Sequence, residues 1–238
     1  MSNHHLSETC PNTYGCPHCA SLSSRRQVLA SIAGGIVALG DPRSVAAQTA
    51  LSPDAALARL TEGNARFVQG KLTSFDEDLV ILKEHTVAKQ GPFAAVLSCA
   101  DSRVPVELVF DQSIGHVFVS RVAGNVCTPE VIASLEYGAS VLGVPVIMVL
   151  GHDGCGAVKA SIDGKPVPGQ ISALYAPLRP AIERAGPDLT AAIKANAQIQ
   201  ADLLRTASPV IAPLAKVGKI KVVAAYYDLA SGKVTMLG

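Results

Sequence analysis

Four short apolar runs, separated by longer stretches of helical periodicity, constrain this chain more than any other feature. They are Phe93–Ser98, Val117–Arg121, Val144–Leu150 and Ile220–Tyr227, and a Gly or Pro stands shortly before each. Runs this apolar predict strands covered on both faces, as in a parallel sheet, not the alternating pattern of a half-solvated one. Between the second and third, residues 128–143 predict a helix with Thr128 as its cap and Pro129 at its first position. Ile132, Leu135, Ala139 and Leu142 share one stripe of that helix. Strand, helix, strand in this order reads as a right-handed parallel crossover. The prediction is an α/β fold, a central mostly parallel β-sheet flanked by helices.

The flanking segments fit that layout. Ser52 as N-cap, Pro53 and Asp54 begin a helix whose apolar face holds Leu57, Leu60, Phe67 and Val68, and Gly70 stops it. A short helix is expected around 79–84, longer ones over 171–185 and 188–207, and residues 229–237 read as a turn into a last edge strand. The 238 residues suffice for one ordinary domain, and 49% hydrophobic residues are ample for its core. A formal net charge of +1 provides no field for nucleic acid or an anionic membrane surface, and points to a small neutral substrate.

Residues 1–48 differ from 49–238. Arg25 and Arg26 precede an apolar, small-residue stretch over 31–40, ended by Asp41 and Pro42, and residues 44–48 carry a small-x-small cleavage pattern. This reads as a twin-arginine export signal, with Val28 where a Phe is common. The stretch is about ten residues, well short of the ~20 that span a bilayer. The expectation is a periplasmic protein carried by the twin-arginine translocase, with no stable membrane span in its mature form. Cys10, Cys16 and Cys19 lie upstream of the arginines; their C-x-x-C spacing and His18 suit metal or redox chemistry, but signal cleavage removes them. Cys99, Cys127 and Cys155 remain, an odd number that argues against a disulfide framework and leaves Cys127 as a buried structural thiol.

Cys99 directly follows the first expected strand, and His152 and Cys155 follow the third. Parallel sheets gather ligands at the carboxyl ends of their strands, so the three residues are expected to meet. Two thiols and an imidazole are donors that zinc prefers, and three protein ligands leave a fourth position for water or substrate. With two thiolates and a neutral imidazole the charges cancel, and a zinc-bound water still falls from ~15.7 toward 7 in pKa, giving a hydroxide nucleophile. Asp101 and Arg103, two and four residues after the first ligand, suit a guanidinium-held carboxylate that accepts the remaining proton of that hydroxide. His85 and His116 read as surface or supporting groups. Gly151, Gly154 and Gly156 match no phosphate-binding loop, and their reading is close backbone approach at the metal.

Residues 98–105, 118–125, 133–138 and 150–157 together resemble the beta-class carbonic anhydrases in order and spacing, closely over 90–160 and loosely beyond. The resemblance implies reversible hydration of carbon dioxide to bicarbonate and a proton, with one zinc ion per subunit on Cys99, His152 and Cys155. Asp101 is then a hydrogen-bond acceptor or an alternative fourth ligand, with Arg103 as its partner. The resemblance also implies a homodimer or higher oligomer with active sites at the subunit interface. Gln90 matches a bicarbonate-binding glutamine, Phe118 and Tyr137 match pocket-lining aromatics, and Ala123 stands where a valine often lines the pocket. The chain has no Trp, and so lacks the tryptophan of the family's bicarbonate-regulated branch. Two other readings of the metal motif remain: hydrolysis of carbon disulfide or carbonyl sulfide, and a non-catalytic zinc domain.

Overall fold

The strands that the sequence predicts form one five-stranded sheet in the order β2-β1-β3-β4-β5. In the computed structural model, which describes residues 51–74, 84 and 86–238, these are β1 (Ala94–Ser98), β2 (Val117–Arg121), β3 (Val146–His152), β4 (Lys221–Tyr227) and β5 (Val234–Leu237). The expected export signal, the Cys10–Cys19 segment, His85 and most of the helix expected around 79–84 lie outside the described residues. The first four strands are mutually parallel, and β5 closes the edge antiparallel to β4. The crossover from β2 to β3 does not join neighbours, because β1 lies between them.

Period-two alternation sends β1 and β3 side chains to opposite faces, and both faces are covered. Ala95, Leu97, Ile147 and Val149 face one core with α3 (Pro129–Ser140), α6 (Leu189–Ala207) and α7 (Ile211–Lys216). Ala94, Val96, Val146, Met148 and Leu150 face the other, against α1 (Pro53–Val68) and α2 (Val106–Val109). Two more helices, α4 (Gly156–Asp163) and α5 (Tyr175–Ala185), cover the end of the sheet near Cys155. The expected 171–185 helix starts only at Tyr175, after a 3-10 turn over Gly169–Leu174. Among the described residues no helix is long and apolar enough to cross a membrane.

Ser52 caps α1 as expected, accepting from the Ala55 N–H at 3.2 Å. Thr128 stands at the cap of α3 without a capping bond. The buried stripe of α1 is Ala56, Leu60, Gly63 and Asn64, while the expected core residue Val68 is 46% exposed. Docking by Gly63 and Asn64 explains this rotation. A Cβ on Gly63 would meet the Phe110 carbonyl oxygen at 1.8 Å, so the helix backbone rests directly on the turn after α2. Buried Asn64 donates to the Val109 and Gly232 carbonyls at 3.1 and 2.9 Å and accepts from the Val234 N–H at 2.8 Å. It therefore joins α1, α2 and the β5 turn, and leaving those buried backbone groups unpaired would cost about 1–3 kcal/mol each.

A half-buried ion pair between Arg66 and the buried Asp111 ties the same helix down. Burial opposes the charge of Asp111, but Arg66 and the Thr73 and Ser74 N–H groups overcome it and hold the carboxyl well below the usual carboxylate range. A depressed folded value contributes stability that is full above the unfolded value of 3.8 and is lost as pH falls below it. Arg66→Gln is expected to move the midpoint of acid unfolding to higher pH in a circular-dichroism titration. An unchanged midpoint would show that Arg66 does not sustain the Asp111 charge.

Candidate metal centre

The β1–β3 pairing builds the centre. Ser98 lies opposite Leu150, so Cys99, just past the end of β1, comes beside the last residues of β3, Gly151 and His152, at the carboxyl edge of the sheet. His152 is the last residue of β3, still paired with Tyr227, and Cys155 caps α4 after a tight turn at Gly154, whose φ is +61°. All three side chains are buried, and their ligand atoms lie within 4.8 Å of one another.

The geometry fits a tetrahedral ion. Bonds of about 2.3 Å from zinc to sulfur set two tetrahedral sulfurs about 3.8 Å apart. The Cys99 and Cys155 sulfurs are 4.0 Å apart. His152 donates from Nδ1 to the Asp153 carbonyl at 2.8 Å, which leaves Nε2 as the bare lone-pair nitrogen. That Nε2 is fully buried and has no hydrogen-bond partner among the described residues. An unpaired buried nitrogen beside two sulfurs is costly without an occupant and natural with a cation. In the protein without metal, the hydrogen bond from Cys155 lowers the Cys99 thiol against the cost of burial, helped by the Gly124 N–H at 3.3 Å, and the same bond raises Cys155. Metal binding therefore has a thiol proton to displace.

Asp101 and Arg103 stand at the rim. The Arg103 guanidinium grips both carboxylate oxygens, Nε to Oδ1 at 2.9 Å and Nη2 to Oδ2 at 2.8 Å, and the Arg103 N–H adds a bond to Oδ1 at 2.9 Å. These bonds hold the Asp101 carboxyl well below its usual range. Its Oδ2 lies 3.9 Å from His152 Nε2, so the clamped carboxylate faces the bare nitrogen.

The remaining expected site residues divide. Ala123 opens the 3-10 turn Ala123–Asn125, whose Gly124 N–H reaches the Cys99 sulfur. Gln90 is exposed and precedes β1, on the far side of that strand from Cys99. Phe118 is paired opposite Ala95, four residues short of Cys99, and its ring lies 6.3 Å from that of Tyr137, tilted by 40°, with Tyr137 45% exposed on α3. Within one subunit these three are not brought to the cluster. His116 bonds to Arg59 at 3.1 Å through Nδ1, in line with a supporting role. Cys127 is half-buried, and burial pushes its thiol up to about 12.

Several residues that hold the centre escaped the sequence reading. Arg121 donates from Nε to the Cys99 carbonyl at 3.0 Å and from Nη2 to the Asp101 carbonyl at 2.6 Å, fixing the ligand loop. Asn196 donates to the Gly124 carbonyl at 2.8 Å and accepts from Gln200 at 3.1 Å. A charge ending an apolar strand, and two amides four apart on the apolar stripe of a helix, were the available signals.

The profile of the family described as carbonic anhydrase matches residues 94–234, which contain every one of the cluster and rim residues. The chain belongs to the carbonic anhydrase family. It is 47% identical over 111 residues to carbonic anhydrase 2 of Mycobacterium tuberculosis, covering 47% of this chain and 53% of that protein. This chain thus spans about half the length of that relative. It is 41% identical over 145 residues to a carbonic anhydrase of Mycolicibacterium smegmatis, covering 61% and 68% respectively. Among solved structures, the beta-carbonic anhydrase CafA of Aspergillus fumigatus superposes with a TM-score of 0.60 at 26% identity, covering 77% of this chain and 89% of that one. A tetrameric beta-carbonic anhydrase of Sordaria macrospora shares the fold with a TM-score of 0.61 at 21% identity, covering 74% and 94%. The α/β sheet flanked by helices is that of the beta class.

Cys99→Ser, His152→Ala and Cys155→Ser are each expected to lose most bound metal, read by elemental analysis of purified protein. Full occupancy in any one of them would remove that residue from the ligand set.

Proposed function

We propose that this protein is a zinc-dependent carbonic anhydrase that interconverts carbon dioxide and bicarbonate, with one zinc ion per subunit on Cys99, His152 and Cys155. The observation that carries this reading is the bare, buried His152 Nε2 beside two sulfurs, with an arginine-clamped carboxylate at the rim. When bound, zinc supplies Lewis acidity that brings the pKa of water from ~15.7 toward 7. Two thiolates temper that effect relative to neutral imidazoles, so the hydration rate rises on the alkaline side of neutrality.

The protein's own groups do the orienting. Asp101, kept anionic by Arg103, can only accept hydrogen bonds. It would accept a hydrogen bond from a water or hydroxide held at the centre and so orient that oxygen toward carbon dioxide. Arg103 engages both Asp101 oxygens and so opposes the rotation that would make Asp101 itself a fourth ligand. Ala123 lines the opening. Gln90, Phe118 and Tyr137 serve bicarbonate or the pocket wall only if a second copy of the chain supplies them, and the tetrameric relative from Sordaria macrospora supports such an oligomer.

Zinc-loaded protein is expected to accelerate hydration in a stopped-flow assay above about pH 8, on the alkaline side of the ~7 toward which zinc brings water. No acceleration there would contradict the assignment. Asp101→Ala should lower turnover by about 10²-fold or more with zinc retained.

We further propose that the Arg25–Arg26 pair and the apolar stretch over 31–40 direct twin-arginine export to the periplasm. Replacing both arginines with lysine should leave the full chain in the cytoplasmic fraction of a bacterial host; unchanged periplasmic recovery would exclude this route.

A further inference from the structure

The turn that carries two of the three ligands contains one side chain for which the proposed chemistry has no use. Asp153 is tied at three points. Its carbonyl accepts from His152 Nδ1 at 2.8 Å, its N–H donates to the Tyr227 carbonyl at 2.9 Å, and its Oδ1 accepts from the Tyr226 hydroxyl at 3.2 Å. Tyr226 is itself fixed, 9% exposed at the end of β4, with the Lys194 ammonium of α6 4.8 Å above its ring.

These bonds do different work. The backbone bond from the Asp153 N–H fixes the peptide before the residue. The carbonyl that orients His152 belongs to the peptide after it, and that peptide runs into Gly154, at φ +61°, the residue type that least resists turning over. The Asp153 side chain, bonded by the Tyr226 hydroxyl at 3.2 Å, branches from the Cα that the two peptides share. A reversed carbonyl would leave the His152 Nδ1 proton without its acceptor and release the ring from the orientation that presents Nε2. The same turn offers the Gly154 carbonyl to Arg103 Nη2 at 3.4 Å, so it also bears on the Asp101 clamp.

We propose that Asp153 is a positioning residue for the His152 ligand and that the Tyr226 hydroxyl is its anchor, a hydrogen-bonded chain from β4 through Asp153 to the imidazole. The inference rests on the reading of Cys99, His152 and Cys155 as the metal centre. Metal-bound histidines commonly give their second N–H to an outer acceptor, and losing that acceptor typically costs roughly 10–100-fold in metal affinity.

The test is zinc transfer from the loaded full-length protein to a chromophoric chelator, followed as a rate. Tyr226→Phe and Asp153→Ala, which free the turn carrying the carbonyl acceptor, are expected to speed zinc release about tenfold, while Asp153→Asn, which keeps a side-chain acceptor for the Tyr226 hydroxyl, stays within about twofold of the parent protein. Rescue by asparagine is the outcome that a merely structural role would not produce. Parent-like release from Tyr226→Phe, or release from Asp153→Asn as fast as from Asp153→Ala, would overturn the proposal. Hydration by the parent protein is measured separately. A parent that binds zinc without hydrating carbon dioxide sinks the proposed activity and leaves this inference standing, whereas active parent protein with unchanged variant release does the reverse.

Discussion

The parallel pairing of β1 with β3 is the constraint on which the centre depends. It sets Ser98 opposite Leu150 and so delivers Cys99 and His152, more than fifty residues apart in the chain, to one edge of the sheet. A one-residue slip in this register would turn every side chain of β1 to the opposite face. Both faces of β1 and β3 are buried against helices, so such a slip would strand apolar groups on each side of the sheet. Packing that looks remote from the chemistry therefore fixes the separation of the ligands.

Around that edge lies a polar shell that is nearly all backbone-directed. Arg121 reaches the Cys99 and Asp101 carbonyls, Asn196 the Gly124 carbonyl, and Gln200 the Cys127 N–H at 2.9 Å. Each bond holds a loop at the carboxyl end of a strand, where ordinary ladder bonds have run out. The outcome is a firmly held site: the sulfurs stand at nearly the separation a tetrahedral ion requires, and Arg103 clamps the Asp101 carboxylate.

What was legible in the sequence follows the strength of the local signal. The strands are runs of Val, Ile, Leu and Ala bounded by turn residues, and β1, β2 and β4 begin and end within a residue of expectation. Their order is not local information, so β1 entering between β2 and β3 emerges only in three dimensions. Helix α4 was missed because Gly156 opens it and it has only eight residues, too few for a clear period. The face of α1 was misread toward Val68 because backbone contact at Gly63 and the Asn64 hydrogen bonds, not apolar periodicity, decide how that helix docks. At the centre, the ligand types and their strand-end positions were readable. The support from Arg121, Asn196 and Tyr226 was not, since each acts on a partner distant in sequence.

The central claim is that Cys99, His152 and Cys155 form a three-ligand zinc centre of two sulfurs and one imidazole. X-ray absorption at the zinc edge of the loaded full-length protein tests it most directly. The account predicts two sulfur scatterers at about 2.3 Å and lighter nitrogen or oxygen scatterers at about 2.0–2.1 Å, one set of them imidazole. A shell of four sulfurs, or one with none, would contradict it.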